Sequence, residues 1–302
     1  MISNAQAHRT SNRPAVFIGV IAAVALLNIA GCGGPPLKPW HTEALDAEFT
    51  VDKAEEVHSF EDYQRLEDRL FAQVGARVYA EIPTGPEHAL ERYSAGSAAD
   101  PQSRAPNWNR SFEMGVEAPL GGVLLLHGLT DSPYTFRALA ETLNDRGFHV
   151  LGLRMPGHGT APSGLASVNW PDMAAAVAIG MQHLAASMGD KPIHIIGYST
   201  GAPLAMNYTL DALDGEAARI PASLVLVSPA VSLHRGAALA GWKRRLSQVP
   251  GMGGLAWLQV LPEFDPYKYT SFATNAAEQV HGVTSSVSGR PVSYTHLRAH
   301  ET

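Results

Sequence analysis

Four short apolar runs, "GVLLLHG", "FHVLGL", "IHIIGY" and "ASLVLVS", recur between residues 121 and 228, and each is separated from the next by a stretch with helical spacing. Those stretches are "SPYTFRALAETLNDRG", "NWPDMAAAVAIGMQHLAASMGD" and "STGAPLAMNYTLDALDG". The apolar runs are too short and too uniformly apolar for amphipathic helices, so they read as buried strands. The first intervening stretch has a Ser cap, an early Pro and a terminal Gly, which mark a helix start and stop. Strand and helix in alternation imply parallel βαβ units and an α/β fold with an open, mostly parallel, doubly wound sheet. Hydrophobic residues at 45% and charged residues at 17% suit such a core.

The flanks are less sharply marked. Residues 51–75 place Val57, Phe60, Tyr63, Leu66, Leu70 and Phe71 at helical spacing, which predicts a surface helix. Residues 76–118 predict two poorly marked strands around the polar loop "SAGSAADPQSRAPN". "GMGG", Gly251–Gly254, has no strand before it and reads as a turn.

One strand ends in "GYSTG", residues Gly197, Tyr198, Ser199, Thr200 and Gly201, and a helix follows. This is G-x-S-x-G in the strand–turn–helix setting that the motif requires. An abrupt turn from strand to helix leaves no room for side chains two positions either side of the serine. Ser199 is thereby pushed out at a helix N-terminus, where free N–H groups and the helix dipole favour developing negative charge. Other chemistries find no support: there is no H-E-x-x-H, no Cys/His cluster able to hold zinc and no phosphate-binding G-x-x-x-x-G-K-[ST]. No metal or other cofactor is expected, and the formal charge of −6 with no basic run argues against nucleic acid.

Three motifs in order, "LHGLTDSP" within Leu124–Pro133, "PGHGTAP" at Pro156–Pro162 and "GYSTG", resemble the α/β-hydrolase superfamily. The similarity is to its carboxylesterase, monoacylglycerol lipase and serine aminopeptidase-like branch, and it covers about residues 120–230. The resemblance implies a serine hydrolase of acyl esters that works through Ser199 and an acyl-enzyme, with a small-molecule acyl ester as substrate. It implies that the backbone N–H groups of Leu129 and Thr200 form an oxyanion hole, with His127 and Gly128 supporting the loop. His127 is then not the base, and His158 is a turn residue. The resemblance further implies a helical cap after the sixth strand, about residues 233–285, then two more strands carrying the acid and the histidine. Relatives that are dehalogenases or epoxide hydrolases carry Asp at the elbow, where this chain has Ser199. Two other readings stay open: a peptidase of the aminopeptidase-like branch, and a noncatalytic binding module on the same fold.

The N-terminus has another character. Arg9 and Arg13 precede an uncharged apolar run, Ala15 to Ala30, and "IAGC" ends at Cys32, the only cysteine. The pattern of basic flank, apolar run and small-residue site is that of a secretory signal. It resembles a bacterial lipoprotein, with 1–31 the signal peptide and Cys32 lipidated. The expected location is the cell envelope, anchored in a membrane on its periplasmic or extracellular face. Cleavage would remove two arginines and no acid, taking the formal charge from −6 to −8. Residues 32–50 are then expected to be a tether and 51–290 the hydrolase domain. Oligomeric state is not legible.

Neither of the last two strands expected after the cap can be found. "ATNAAEQVHGVTSS" reads as the helix before the seventh strand, and "VSYTHLRAHET" ends the chain with His296 and His300. That string back-translates into a sequence resembling the adapter of transposase-based sequencing libraries, so 291–302 is expected not to be native. On this reading the domain is cut short and the chain is inactive for want of its acid and histidine. His234 comes too early for the base, His281 falls in a helix, and Asp265 in the cap is a poor acid.

Overall fold

In the computed structural model, residues 36–230 and 253–290 are described. The expectations for Cys32, the signal peptide, the first part of the cap, His234 and the tail with His296 and His300 lie outside them.

The described chain opens with a short helix, α1 (Pro39–Thr42), and a 3-10 turn (Val51–Glu56). A long helix follows, α2 (Phe60–Arg77), and then strand β1 (Phe112–Met114). The alternating region contributes β2 (Gly121–Leu126), α3 (Arg137–Asp145), β3 (Phe148–Leu153), α4 (Ser163–Ser167) and α5 (Trp170–Met188). It continues with β4 (Ile193–Tyr198), α6 (Gly201–Leu213) and β5 (Ser223–Val227). Beyond residue 253 come β6 (Trp257–Gln259), β7 (Phe272–Ala273) and α7 (Thr274–Ser288). The main sheet has the order β1-β3-β2-β4-β5. All of its pairings are parallel except that of β1 with β3. The alternating pattern thus forms the parallel α/β sheet it predicts, with every strand and helix of that region in place.

The two faces of the sheet are covered unequally. Leu124, Leu126, Leu151, Leu153 and Ile195 join one cluster with residues of α2, α5, α6 and α7. On the opposite face Val123, Leu125, Val150 and Ile196 pack with Phe136 and Ala140. The β5 register pairs Ile196 with Val225 and Tyr198 with Val227, so the two valines share this thinner face. They are 47% and 43% exposed at the sheet's edge.

Three expectations are corrected. Residues 76–118 form one three-residue strand and three 3-10 turns (79–81, 86–88, 101–103) instead of two strands. Pro83, Pro86, Pro101 and Pro106 deny this stretch the N–H groups of a ladder. Asp100 organises it instead, accepting hydrogen bonds from the Tyr79 hydroxyl and from the Gly96 and Gln102 amides. Each later strand therefore comes one place earlier in chain order than expected. Second, part of the expected tether packs into the described body. Trp40, His41 and Phe49 are buried. Trp40 stacks on Tyr93 at 5.1 Å, and His41 bonds Ser271 at 3.0 Å. Third, the helix expected over 51–75 starts at Phe60, because Ser59 and Asp62 form a reciprocal capping box. It is half buried rather than superficial, with Tyr63 and Leu70 fully enclosed.

Candidate active site

Ser199 stands at the end of β4 with φ 52°, a left-handed conformation that is uncommon for a residue with a side chain. Neighbours over-determine it. Its N–H donates to the Val227 carbonyl at 3.0 Å, and its carbonyl accepts from Ala202 and Ala230. The flanking glycines have the steric reason expected of them. A Cβ on Gly197 would lie 2.5 Å from the Gly201 carbonyl oxygen, and one on Gly201 would lie 2.1 Å from that of Leu126. Ser228, just past β5, is also left-handed at φ 45°. Strained backbone clusters where surrounding structure holds it for a purpose.

A cavity of about 290 Å³ opens at Ser199. Leu129, Tyr198, Ala230, Phe272, Ala277 and Val280 give it a largely apolar wall. Thr200 lines it as well, so the residues of both expected oxyanion donors share one cavity with Ser199. Asp131 and Lys268 stand at the same cavity, 3.3 Å apart as an ion pair. Asp131 belongs to the quoted "LHGLTDSP", whereas nothing in the sequence marks Lys268. The segment carrying Lys268 is fastened to residues 130–134 twice more. The Tyr269 N–H donates to the Thr130 carbonyl at 2.8 Å, and Tyr267 stacks on Tyr134 with ring centroids 3.7 Å apart.

His127 is fully buried. The Met155 N–H donates to its Nε2 at 3.2 Å, which leaves Nδ1 to donate to the Gly128 carbonyl at 2.9 Å. Burial, and then the neighbouring His158, hold its pKa well below the usual imidazole value. A neutral ring whose two nitrogens are both occupied is a brace, unable to take a proton from Ser199. His158 is likewise buried, lowered by burial, and donates through Nδ1 to the Pro156 carbonyl at 2.8 Å. His281 lies exposed on α7, and the Asp265 carboxylate accepts from the Tyr267 and Lys268 amides in a local turn. Among the described residues, no histidine lines the Ser199 cavity. Among them also, no cluster of three or more His, Cys, Asp or Glu could hold a metal ion.

Behind the loop lies a buried ionic network that sequence reading missed. Arg154 is fully enclosed and forms a bidentate pair with Glu48, at 2.9 and 3.0 Å, and a further contact with Glu67 at 3.1 Å. Removing one partner of such a pair leaves an uncompensated buried charge, which costs about 3–5 kcal/mol. Charged residues scattered at positions 48, 67 and 154 carry no joint signal in a sequence.

A family model described as Hydrolase_4: Serine aminopeptidase, S33 matches residues 117–280, more than half of the chain. A thermostable monoacylglycerol lipase of Bacillus sp. (strain H-257) is 34% identical over 85 residues, 28% of this chain. The chain thus spans 33% of the length of that curated relative. Among solved structures, one described under the metagenome-derived lipolytic enzymes LipS and LipT is 20% identical. It has a TM-score of 0.49 and covers 60% of this chain and 69% of its own. A monoacylglycerol lipase of Paleococcus ferrophilus is 17% identical, with a TM-score of 0.43 over 59% of this chain and 70% of its own.

Proposed function

This chain belongs to the Hydrolase_4 family, the serine aminopeptidase S33 group of the α/β-hydrolases, and from that premise we propose that it cleaves carboxylic esters of acyl chains through Ser199. The supporting observation is the meeting of Ser199, at φ 52°, with Leu129 and Thr200 in one mostly apolar cavity. Ser199 Oγ attacks the ester carbonyl carbon, and the Leu129 and Thr200 N–H groups hold the oxygen that becomes negative. The tetrahedral intermediate collapses by breaking the ester C–O bond, and the alkoxide leaves with the proton that a base took from the Ser199 hydroxyl. Water then adds to the acyl carbon, releasing the acid as the acyl–Oγ bond breaks and Ser199 Oγ regains a proton. Loss of one oxyanion donor typically lowers turnover about 10²–10³-fold.

A serine hydroxyl is a weak nucleophile until a base takes its proton. None of the described residues lining the cavity is a histidine, and slow hydrolysis by the 302-residue chain is part of the proposal. The test is labelling by a fluorophosphonate, with Ser199→Ala as the blank. We expect slow, Ser199-dependent labelling that added imidazole accelerates by acting as a general base. No adduct at Ser199 in either condition would favour a noncatalytic binding module. Labelling and ester turnover at ordinary enzyme rates without imidazole would overturn the proposal of slow hydrolysis.

A second reading is carried by the family description itself, which names a serine aminopeptidase. The apolar wall of Phe272, Ala277 and Val280 favours an acyl chain over a charged amino terminus. Comparing acyl esters with aminoacyl amides on the imidazole-assisted protein separates the two. The apolar run before Cys32 supports a further proposal, that the mature protein is lipidated at Cys32 and held at a membrane of the bacterial envelope.

A further inference from the structure

The family match starts at residue 117, yet the loop beside Ser199 is braced from well before it. Glu48, in the segment between α1 and α2, sends its carboxylate into the turn after β3. One oxygen accepts from Arg154 Nη1 at 3.0 Å and from the Gly157 N–H at 2.9 Å. The other accepts from Arg154 Nη2 and from the Phe49 N–H, both at 2.9 Å. Arg154 Nη1 also reaches the carbonyls of Met155 at 3.4 Å and His158 at 3.1 Å. The turn 154–158 is therefore wrapped around one partly buried carboxylate.

The same turn presents the Met155 N–H to His127 Nε2, and His127 Nδ1 in turn donates to the Gly128 carbonyl. The Gly128 carbonyl and the Leu129 N–H belong to one planar trans peptide, so they point in opposite directions. Holding the carbonyl on the His127 side aims the N–H away from it. The Asp131 N–H gives the same carbonyl a second hydrogen bond at 3.2 Å.

We propose that Glu48 is a positioning residue for the Gly128–Leu129 peptide, acting through Arg154, the 154–158 turn and His127. The segment before the family-matched region is thus part of the apparatus that orients the oxyanion donor. The proposal rests on the reading of the Leu129 N–H as that donor. Charge is central to it: a carboxylate can satisfy the guanidinium and the Gly157 amide together, whereas a neutral amide side chain keeps an acceptor but loses the ion pair.

Amide hydrogen exchange on the 302-residue chain tests it with Glu48→Gln and Glu48→Ala. The reporters are peptides covering 127–131 and 155–159, with β4 as internal reference. In Glu48→Ala both loops should exchange about tenfold faster or more while β4 keeps its protection, and Glu48→Gln should fall between it and the parent. Imidazole-assisted phosphonylation of Ser199 should slow in the same order, by about 10–100-fold in Glu48→Ala. Unchanged loop exchange in Glu48→Ala, or loops and β4 loosening together in Glu48→Gln, would overturn the proposal. If Glu48→Ala does not fold, Glu48→Gln alone decides by the same comparison of loops with β4. If the parent protein is never labelled at Ser199, the serine-nucleophile reading fails, while exchange still reports whether Glu48 holds the loop.

Discussion

Residues two places either side of Ser199 show how little freedom the elbow leaves. A Cβ on Gly201 would meet the Leu126 carbonyl oxygen at 2.1 Å, backbone against backbone, with no flexible side chain to yield. Gly201→Ala should therefore destabilise the fold by about 1–3 kcal/mol, as forced overpacking does, and should displace Ser199 as well. Chemical denaturation checks the first effect and fluorophosphonate labelling the second; a variant of parental stability and labelling would refute the packing argument. Gly128 is a milder case, since a Cβ there meets the Asp131 carboxylate at 2.7 Å and the Tyr198 ring beyond 3 Å. The role of the glycines of "GYSTG" is legible in the sequence alone, because it follows from local backbone sterics. That of Lys268 is not, since its place beside Ser199 depends on how residues 257–273 fold back.

At the scale of elements, β1 is the weak member of the sheet, three residues long and at an edge. A side-chain clamp compensates. The Glu113 carboxylate on β1 bonds His149 of β3 at 2.5 Å and His183 of α5 at 2.8 Å, while Phe60 of α2 lies against the His183 ring. The hydrogen bond to Glu113 raises the His183 pKa above its ordinary 6.5, against the opposing effect of burial. The hydrogen bond from His183 in turn lowers Glu113 below its ordinary 4.5. A raised histidine contributes stability that is fully present below its unfolded value and is lost as pH rises through its folded one. A lowered carboxylate contributes stability that is present above its unfolded value and is lost as pH falls through its folded one. The clamp therefore works best between about pH 4.5 and pH 6.5. Melting temperatures at about pH 6 and about pH 8 should differ more in the parent than in Glu113→Gln. An equal difference in both proteins would show that the clamp does not hold β1.

For the whole molecule, the packed body begins within a few residues of Cys32. Trp40, His41 and Phe49 are buried, and Trp40 stands eight positions after Cys32 in the sequence. At this scale the premise proposed is that Cys32 is lipidated. Expression in a bacterial host with radiolabelled palmitate tests the premise: the parent should carry label and sediment with membranes, and Cys32→Ser should do neither. Label retained by Cys32→Ser would remove the lipoprotein reading. Among the described residues, no helix is long and apolar enough to cross a membrane.

The alternating strands and helices from β2 to β5, the elbow and the candidate nucleophile were all legible in the sequence. Each is a short-range pattern of apolar periodicity, capping and glycine placement, and short-range patterns survive without knowledge of the fold. Folding decided what long-range contact creates. It buried Trp40, His41 and Phe49 of the expected tether, replaced two expected strands in 76–118 by proline-bounded turns, and brought Lys268 and α7 to Ser199. It also assembled Glu48, Glu67 and Arg154, up to 106 residues apart, into one ionic network behind the loop that carries Leu129. A lone acid at position 48 looks like any solvated charge in the sequence. Only the enclosed space around Arg154, where an unpaired cation would be costly, makes it a partner.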